Sequence, residues 1–367
     1  MSEPTPPSLD PIEVADFHNV LKQSKRIVAV LGAGISASSG LATFRGTNGL
    51  WKGQDVMQVA TPAGFRHDPG LVWQFYAYRR HEALKARPNP AHYALAELSR
   101  RVGPGCVTLT QNVDNLSPRA GHPAEQLKQL HGNLFELRCV DSVGCGYVEK
   151  GNFQDPLTPA LDTTRGEAAA IGRIEPGDKP KANPMLLAGL ARKNAQILGD
   201  KFKDKAPSAD DIAPLKTATA EGEQEPGAAR PRPMSDIRMS SGLSKDDLPQ
   251  CPQCQTDILR PSVVWFGEAL AESTAEEAEA LFAEDAGPID LCLVIGTSSK
   301  VWPTAGYAEK ARKRGARVAT VNLDVGDAKG LRPGQDWVFV GDAAQVLPEL
   351  LRPVIGDAEG WERSAVS

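Results

Sequence analysis

Five short apolar runs punctuate the chain, at 27–31, 107–110, 291–295, 316–321 and 337–340. The first, Ile27-Val28-Ala29-Val30-Leu31, contains no polar position and stops at Gly32. That is the pattern of a strand buried on both faces of a parallel sheet, not the alternation of a half-exposed one. Helical stretches fall between the runs, 302–313 among them. Strands alternating with helices imply an α/β fold built on a doubly wound parallel sheet. Because the runs come from both ends of the chain, the middle is read as a second module inserted into the first.

In the middle the pattern dissolves. Between 152 and 247 Ala, Pro, Gly, Lys, Asp and Glu dominate and Trp and Tyr are absent. Such a stretch buries too little apolar surface to offset its ordering entropy, so a low-complexity insert is expected, with an amphipathic helix conceivable at 185–202. The expected organisation is a flexible N-terminus (1–20), a sheet domain (21–135 and 285–353), a metal-binding module (136–151 and 248–265), the insert (152–247) and a flexible C-terminus (354–367).

Composition adds limits. With 367 residues, 41% of them hydrophobic, and a net charge of -5, the chain suits a globular protein of one large or two modest domains. It offers no basic footprint for direct nucleic-acid binding. No apolar run reaches membrane-span length, so no membrane partner is expected. Six cysteines in so long a chain argue for a reducing compartment. Cys251-Pro252-Gln253-Cys254 has the knuckle spacing that brings two thiolates to one tetrahedral zinc, and Cys139 and Cys145 would complete a closed structural site; the alternative is four unliganded core thiols. Cys106 and Cys292 lie in strand-like runs and read as core.

Chemistry-bearing residues cluster where strands end. Gly32-Ala33-Gly34-Ile35-Ser36 leads from a strand into an expected helix, so its backbone N–H groups could meet a pyrophosphate; the acidic residue that commonly holds a ribose about 20 positions on is not evident. Alone, this is equally an ordinary turn. Thr110-Gln111-Asn112-Val113-Asp114, Gly296-Thr297-Ser298-Ser299 and Val321-Asn322-Leu323-Asp324 end three other strands, and ligands of open parallel sheets bind at such ends. His131, in Leu130-His131-Gly132, is either a structural histidine or a general base, a role that suits its ordinary pKa near ~6.5.

Taken in order, these motifs, with Thr43-Phe44-Arg45-Gly46, the two cysteine pairs and Val264-Trp265-Phe266-Gly267-Glu268, resemble the sirtuins, NAD-dependent protein-lysine deacylases, over 26–351 except the insert. The resemblance implies a Rossmann-like domain carrying a small zinc module. It implies an NAD site lined by Gly32, Ala33, Gly34, Ser36, Phe44, Arg45, Gln111, Asn112, Asp114, Gly296, Thr297, Ser298, Asn322 and Asp324, with Ala343 near the adenine. His131 would be the catalytic base. In the family the acyl-lysine carbonyl oxygen attacks the nicotinamide ribose, nicotinamide leaves, and the histidine helps a ribose hydroxyl attack the resulting imidate. Val264, Trp265 and Phe266 would pair with the substrate as an added strand, and one zinc would sit on Cys139, Cys145, Cys251 and Cys254.

A narrower resemblance concerns the acyl group. Ala60-Thr61-Pro62 and Phe75-Tyr76-Ala77-Tyr78-Arg79-Arg80 look like the acyl pocket of class III sirtuins, whose Tyr-x-x-Arg falls on Tyr76 and Arg79. A guanidinium fork and a phenol would suit a succinyl, malonyl or glutaryl carboxylate. Without that context Arg79-Arg80-His81-Glu82 reads as a solvated helix face. The sequence departs from the family at Ser38 (usually Glu), Ala42 (Pro), Asn115 (Gly), Ser117 (His) and in the C-x5-C spacing of the first cysteine pair. The expectation is a monomeric deacylase acting on acyl-lysine proteins. It would be cytoplasmic or nuclear for want of a visible presequence, with the mitochondrion as the alternative. The rival readings are a sirtuin deacetylase, a mono-ADP-ribosyltransferase, a non-catalytic NAD-sensing scaffold and a nicotinamide dehydrogenase.

Overall fold

A computed structural model describes residues 9–43, 50–51, 54–163, 241–297, 304–324 and 330–357. The strands are β1 (Ile27–Leu31), β2 (Leu50–Trp51), β3 (Gln54–Asp55), β4 (Cys106–Thr110), β5 (Leu127–Gln129), β6 (Gly132–Cys139), β7 (Val148–Glu149), β8 (Leu259–Val263), β9 (Leu291–Ile295), β10 (Arg317–Asn322) and β11 (Trp337–Val340). Six form one sheet in the order β11-β10-β9-β1-β4-β5, and every pairing in it is parallel. The five apolar runs are thus five of its strands.

Both faces of the sheet are covered. Ile27, Ala29 and Leu31 enter a core with the helices Pro11–Gln23, Pro90–Val102 and Ala343–Ile355, while Val28 and Val30 enter another with Glu272–Ala280 and Tyr307–Lys313. Because alternate side chains of a strand point to opposite faces, β1 has no position for a polar residue and serves both layers.

The second lobe is the antiparallel sheet β7-β6-β8. Its core also takes in residues from the helices Val56–Val59, Pro62–His67 and Pro69–Lys85, including Phe65, Trp73, Phe75 and Tyr76. This differs from the expected division, which assigned 21–135 to the sheet domain. Pro69–Lys85 is capped by Asp68, carries Pro69 in its first turn and buries nine of its residues. A helix apolar on so many sides needs partners all round, and the small lobe supplies them.

Three further expectations change. The supposed flexible N-terminus, 1–20, contains most of the helix Pro11–Gln23, which Asp10 caps and which drives Phe17 and Leu21 into the core; Phe17 meets Trp337 edge-on at 5.3 Å. At the other end the last helix runs to Ile355, a buried residue past the expected boundary at 353. The ends of the expected insert are built into the small lobe: Arg80 donates to the Asn152 and Gln154 carbonyls at 2.8 and 3.0 Å. Asp68 accepts the Ser241 N–H and hydroxyl at 2.8 and 2.7 Å, and Thr158 donates to the Asp247 carbonyl at 2.7 Å. These segments use backbone polar groups for docking, which an apolar-surface count misses. The candidate helix 185–202 lies outside the described residues, as does the start of the helix expected at 302–313.

Phe17→Ala should therefore lower the unfolding free energy by about 3–5 kcal/mol, measured by urea titration; a change below about 0.5 kcal/mol would mean that the first helix contributes nothing to the core.

Candidate active site

At the carboxyl edge of the sheet the ends of β1 and β9 touch through glycine. Gly32 N–H donates to the Ile295 carbonyl at 2.9 Å and Gly34 N–H to the Gly296 carbonyl at 2.8 Å. A Cβ on Gly32 would lie 2.7 Å from the Gly296 oxygen, and one on Gly34 2.6 Å from the Gly296 Cα. Gly296 itself has φ +59°, a left-handed conformation for which glycine is suited. From this contact the chain enters the expected helix, which is of the 3₁₀ type and spans Ala33–Ser39.

Ser36 projects from that 3₁₀ helix into a buried polar chain. Its hydroxyl donates to Asp114 at 2.7 Å, accepts from Asn112 Nδ2 at 3.2 Å and lies 3.4 Å from His92 Nε2. The Asn89 N–H points at His92 Nδ1 from 3.3 Å. With Nδ1 accepting, Nε2 carries the proton and donates to Ser36, so the four groups have compatible donors and acceptors. Burial pushes the His92 pKa down to about 4. Sequence reasoning missed His92; its signal was Asn89-Pro90, a cap followed by proline at the first helical position, with the histidine in the third completing a capping box.

His131 lies just before β6 and is half-buried. Its Nδ1 is 3.1 Å from the Gln111 carbonyl, which can only accept, so Nδ1 bears the proton and Nε2 keeps its lone pair. Burial lowers the pKa of this imidazole, opposed by the Gln111 bond, which favours the neutral form that acts as a base. Gln111 is tied to the glycine contact through Nε2, at 3.1 Å from Thr297 Oγ1, and Asn322 Nδ2 donates to the Thr297 carbonyl at 3.0 Å. The structure thus brings Gln111, Thr297 and Asn322 together, and links Asn112, Asp114 and Ser36 beside them. Asp324 follows the end of β10, two residues after Asn322. Ala343 is buried at the start of the last helix. Two departures find roles: Asn115 adopts φ 63°, which asparagine tolerates better than most residues, and Ser38 bonds to Asp342, the cap of the last helix.

The small lobe meets this edge through His131 and Gly132. The His131 carbonyl accepts from Val264 N–H at 2.9 Å, and a side chain on Gly132, at φ +78°, would collide with the Ser262 carbonyl. Beyond Val264 the Phe266 N–H donates to the Ala60 carbonyl at 3.0 Å. Ala60, Tyr76 and Trp265 are buried together, with Phe266 packed against them. Trp265 sits inside the lobe, so only its backbone suits the substrate-pairing role expected of it. Arg79, one turn from Tyr76, is half-buried, with its guanidinium 5.8 Å from the Phe75 ring centroid. Burial lowers its pKa, and Tyr76 and Asp114 oppose that effect, so it lies within electrostatic reach of the buried polar chain. Arg80 is no solvated face: it is buried, bonding Asn152, Gln154 and the Leu134 carbonyl.

The Sγ atoms of Cys139, Cys145, Cys251 and Cys254 lie within 4.8 Å of one another. Two of the separations are 3.8 Å (Cys139 to Cys254) and 3.6 Å (Cys145 to Cys251). Four sulfurs at ~2.3 Å from a tetrahedral zinc would stand about 3.8 Å apart, so the cluster could hold that ion despite its unusual first spacing. All four positions would be filled by protein, which leaves the metal a structural part. Phe44, Arg45 and Ser298 lie outside the described residues.

A model described as the Sir2 family matches residues 32–161 and 231–303. An NAD-dependent protein deacylase of Candida albicans is 40% identical over 94% of this chain and 99% of that protein. The mitochondrial NAD-dependent protein deacylase sirtuin-5 of Canis lupus familiaris is 32% identical over 93% of this chain and 85% of its own. The solved complex of a Sir2 homolog with NAD superposes with a TM-score of 0.60 at 27% identity, covering 100% of this chain and 98% of that one.

Two predictions test the site's framework. His92 and His122, the latter buried against Ser99 and Thr108, are each held near 4 by burial against an ordinary 6.5. The unfolded chain takes up protons below 6.5 that the folded chain refuses until about 4. Their stabilisation is therefore complete above the former pH and lost toward the latter, on the order of 3 kcal/mol for each histidine. The urea midpoint should fall steadily over that window, and a flat profile would contradict the burial. Cys254→Ser should cost bound zinc, read by metal analysis of the purified protein, and about 3 kcal/mol or more of stability; full zinc retention would show that the cluster is not the metal site.

Proposed function

The chain belongs to the Sir2 family and is an NAD-dependent protein deacylase, and we propose that within the family it removes acidic acyl groups, succinyl, malonyl or glutaryl, from lysine. The observation that carries this reading is the pairing of Tyr76 and the half-buried Arg79 on one face of the helix Pro69–Lys85, in the lobe that meets His131. A guanidinium remains charged in proteins and offers a carboxylate two parallel bonds. Burial raises the Tyr76 pKa to about 12, so the phenol stays a neutral donor at any physiological pH. Each charge-assisted bond contributes roughly 1.5–3 kcal/mol, enough for a ten- to hundredfold preference over an acetyl group, which has no carboxylate to receive it.

NAD, when bound, supplies the electrophilic ribose carbon and the nicotinamide leaving group. The chain's own residues orient and deprotonate. The glycine contact would let the backbone approach the phosphates closely, and the Ser36, Asn112, Asp114 and His92 chain would hold the edge that receives the cofactor. His131 Nε2, its lone pair exposed by the Nδ1 bond to Gln111, would take the proton of a ribose hydroxyl. The main chain at Val264 and Phe266 would run beside the substrate peptide as a neighbouring strand, giving affinity with little demand on sequence. The products would be free lysine, nicotinamide and an O-acyl-ADP-ribose.

Among the described residues no helix is long and apolar enough to cross a membrane. The proposed site of action is the cytoplasm or nucleus; the names of the sirtuin-5 relatives favour the mitochondrion as the second reading.

The test is one peptide carrying acetyl, malonyl, succinyl or glutaryl lysine, assayed by mass spectrometry with and without NAD. Arg79→Met should cut desuccinylation about ten- to a hundredfold and spare deacetylation; undiminished desuccinylation would sink the assignment of the pocket. His131→Ala should abolish turnover of every peptide while NAD binding persists, and normal turnover would remove it as the base.

A further inference from the structure

Trp265 is held on every side except at its one polar atom. The ring is 3% exposed and tilts against Phe65 and Tyr76, with centroids 5.0 and 6.4 Å away. The Arg260 guanidinium lies 3.3 Å from its centroid and is clamped by both oxygens of Glu268 at 2.6 and 2.8 Å; Glu268 also accepts the Trp265 backbone N–H at 2.8 Å. Yet Nε1 is buried and finds no acceptor among the described residues. Trp73, in the same core, shows the ordinary outcome, its Nε1–H donating to the Leu259 carbonyl at 2.9 Å. A buried donor left unmet is rare enough to need a reason. The neighbouring aromatic ring of Tyr76, its centroid 6.4 Å away and tilted by 33°, carries a hydroxyl that can accept such a donor.

We propose that Trp265 is a positioning residue for Tyr76: when an acidic acyl chain enters, its Nε1–H donates to the Tyr76 oxygen and turns the phenol O–H toward the acyl carboxylate. A phenol has one proton to give and lone pairs to receive. Engaging a lone pair from the indole side leaves the proton facing the pocket and makes it a better donor. The inference rests on the reading of Tyr76 and Arg79 as a carboxylate pocket. It adds a residue whose effect is confined to acyl groups that end in an acceptor, so acetyl-lysine should be indifferent to it.

Trp265→Phe keeps an aromatic ring between Phe65, Tyr76 and Arg260 and removes the N–H. KM for a succinyl-lysine peptide should rise about five- to tenfold with kcat little changed, and the succinyl-over-acetyl preference in kcat/KM should fall by the same factor. In a Tyr76→Phe background the same substitution should have no further effect. An unchanged succinyl KM, an equal loss on both peptides, or losses that multiply in the double variant would each overturn the inference while the pocket stands. A wild-type enzyme without preference for succinyl over acetyl would overturn the pocket itself, and this inference with it. Should Trp265→Phe fold poorly by its thermal midpoint, site-specific benzothienylalanine, with sulfur at the position of Nε1, gives the same comparison in the original shape.

Discussion

Gly32 and Gly34 at the end of β1 and Gly296 at the end of β9 lie backbone against backbone, with no room for a side chain between them. Adjacent parallel strands are held about 4.8 Å apart by their hydrogen bonds, and glycine lets their exits stay close after the ladder ends. The 3₁₀ helix that follows brings Ser36 to Asp114, and Thr297, next to Gly296, receives Gln111 and Asn322. Separating the two strand ends by a methyl group would shift both the edge that Ser36 and Asp114 form and the residue that fixes the tautomer of His131.

That tautomer links the lobes. Gln111 belongs to the large sheet's edge, and its carbonyl orients the imidazole of His131, whose own carbonyl is bonded to Val264 at the end of the small lobe's β8. One residue therefore takes its ring orientation from one lobe and its backbone position from the other. A displacement between the lobes would change the direction of that imidazole before it disturbed either core.

Much of this was legible because the strands are buried on both faces. Unbroken apolar runs located β1 and β9 to the residue, and the polar residues after the strands marked the edge where Ser36, Asn112, Asp114, Gln111 and Thr297 bond to one another. The zinc cluster was legible from cysteine spacing, although C-x5-C concealed how closely Cys145 approaches Cys251. What stayed hidden depended on partners distant in sequence. Arg80 looks like surface until the Asn152 and Gln154 carbonyls are seen around it. The helix Pro69–Lys85 shows no stripe that would assign it to the small lobe. Phe17 sits in the segment 1–20, expected to be a flexible terminus, but its packing surface is supplied by β11 and the last helix, more than three hundred residues later.

The segments up to 163 and from 241 are anchored to the same helix and its cap, at Arg80 and at Asp68. Thr158 and Asp247 join them directly. For ends pinned side by side, each doubling of a flexible connection adds only about 0.6 kcal/mol of closure entropy. A change in the number of residues between these two anchorages should therefore weigh little on the body of the enzyme, which makes this point a natural port for grafted cargo.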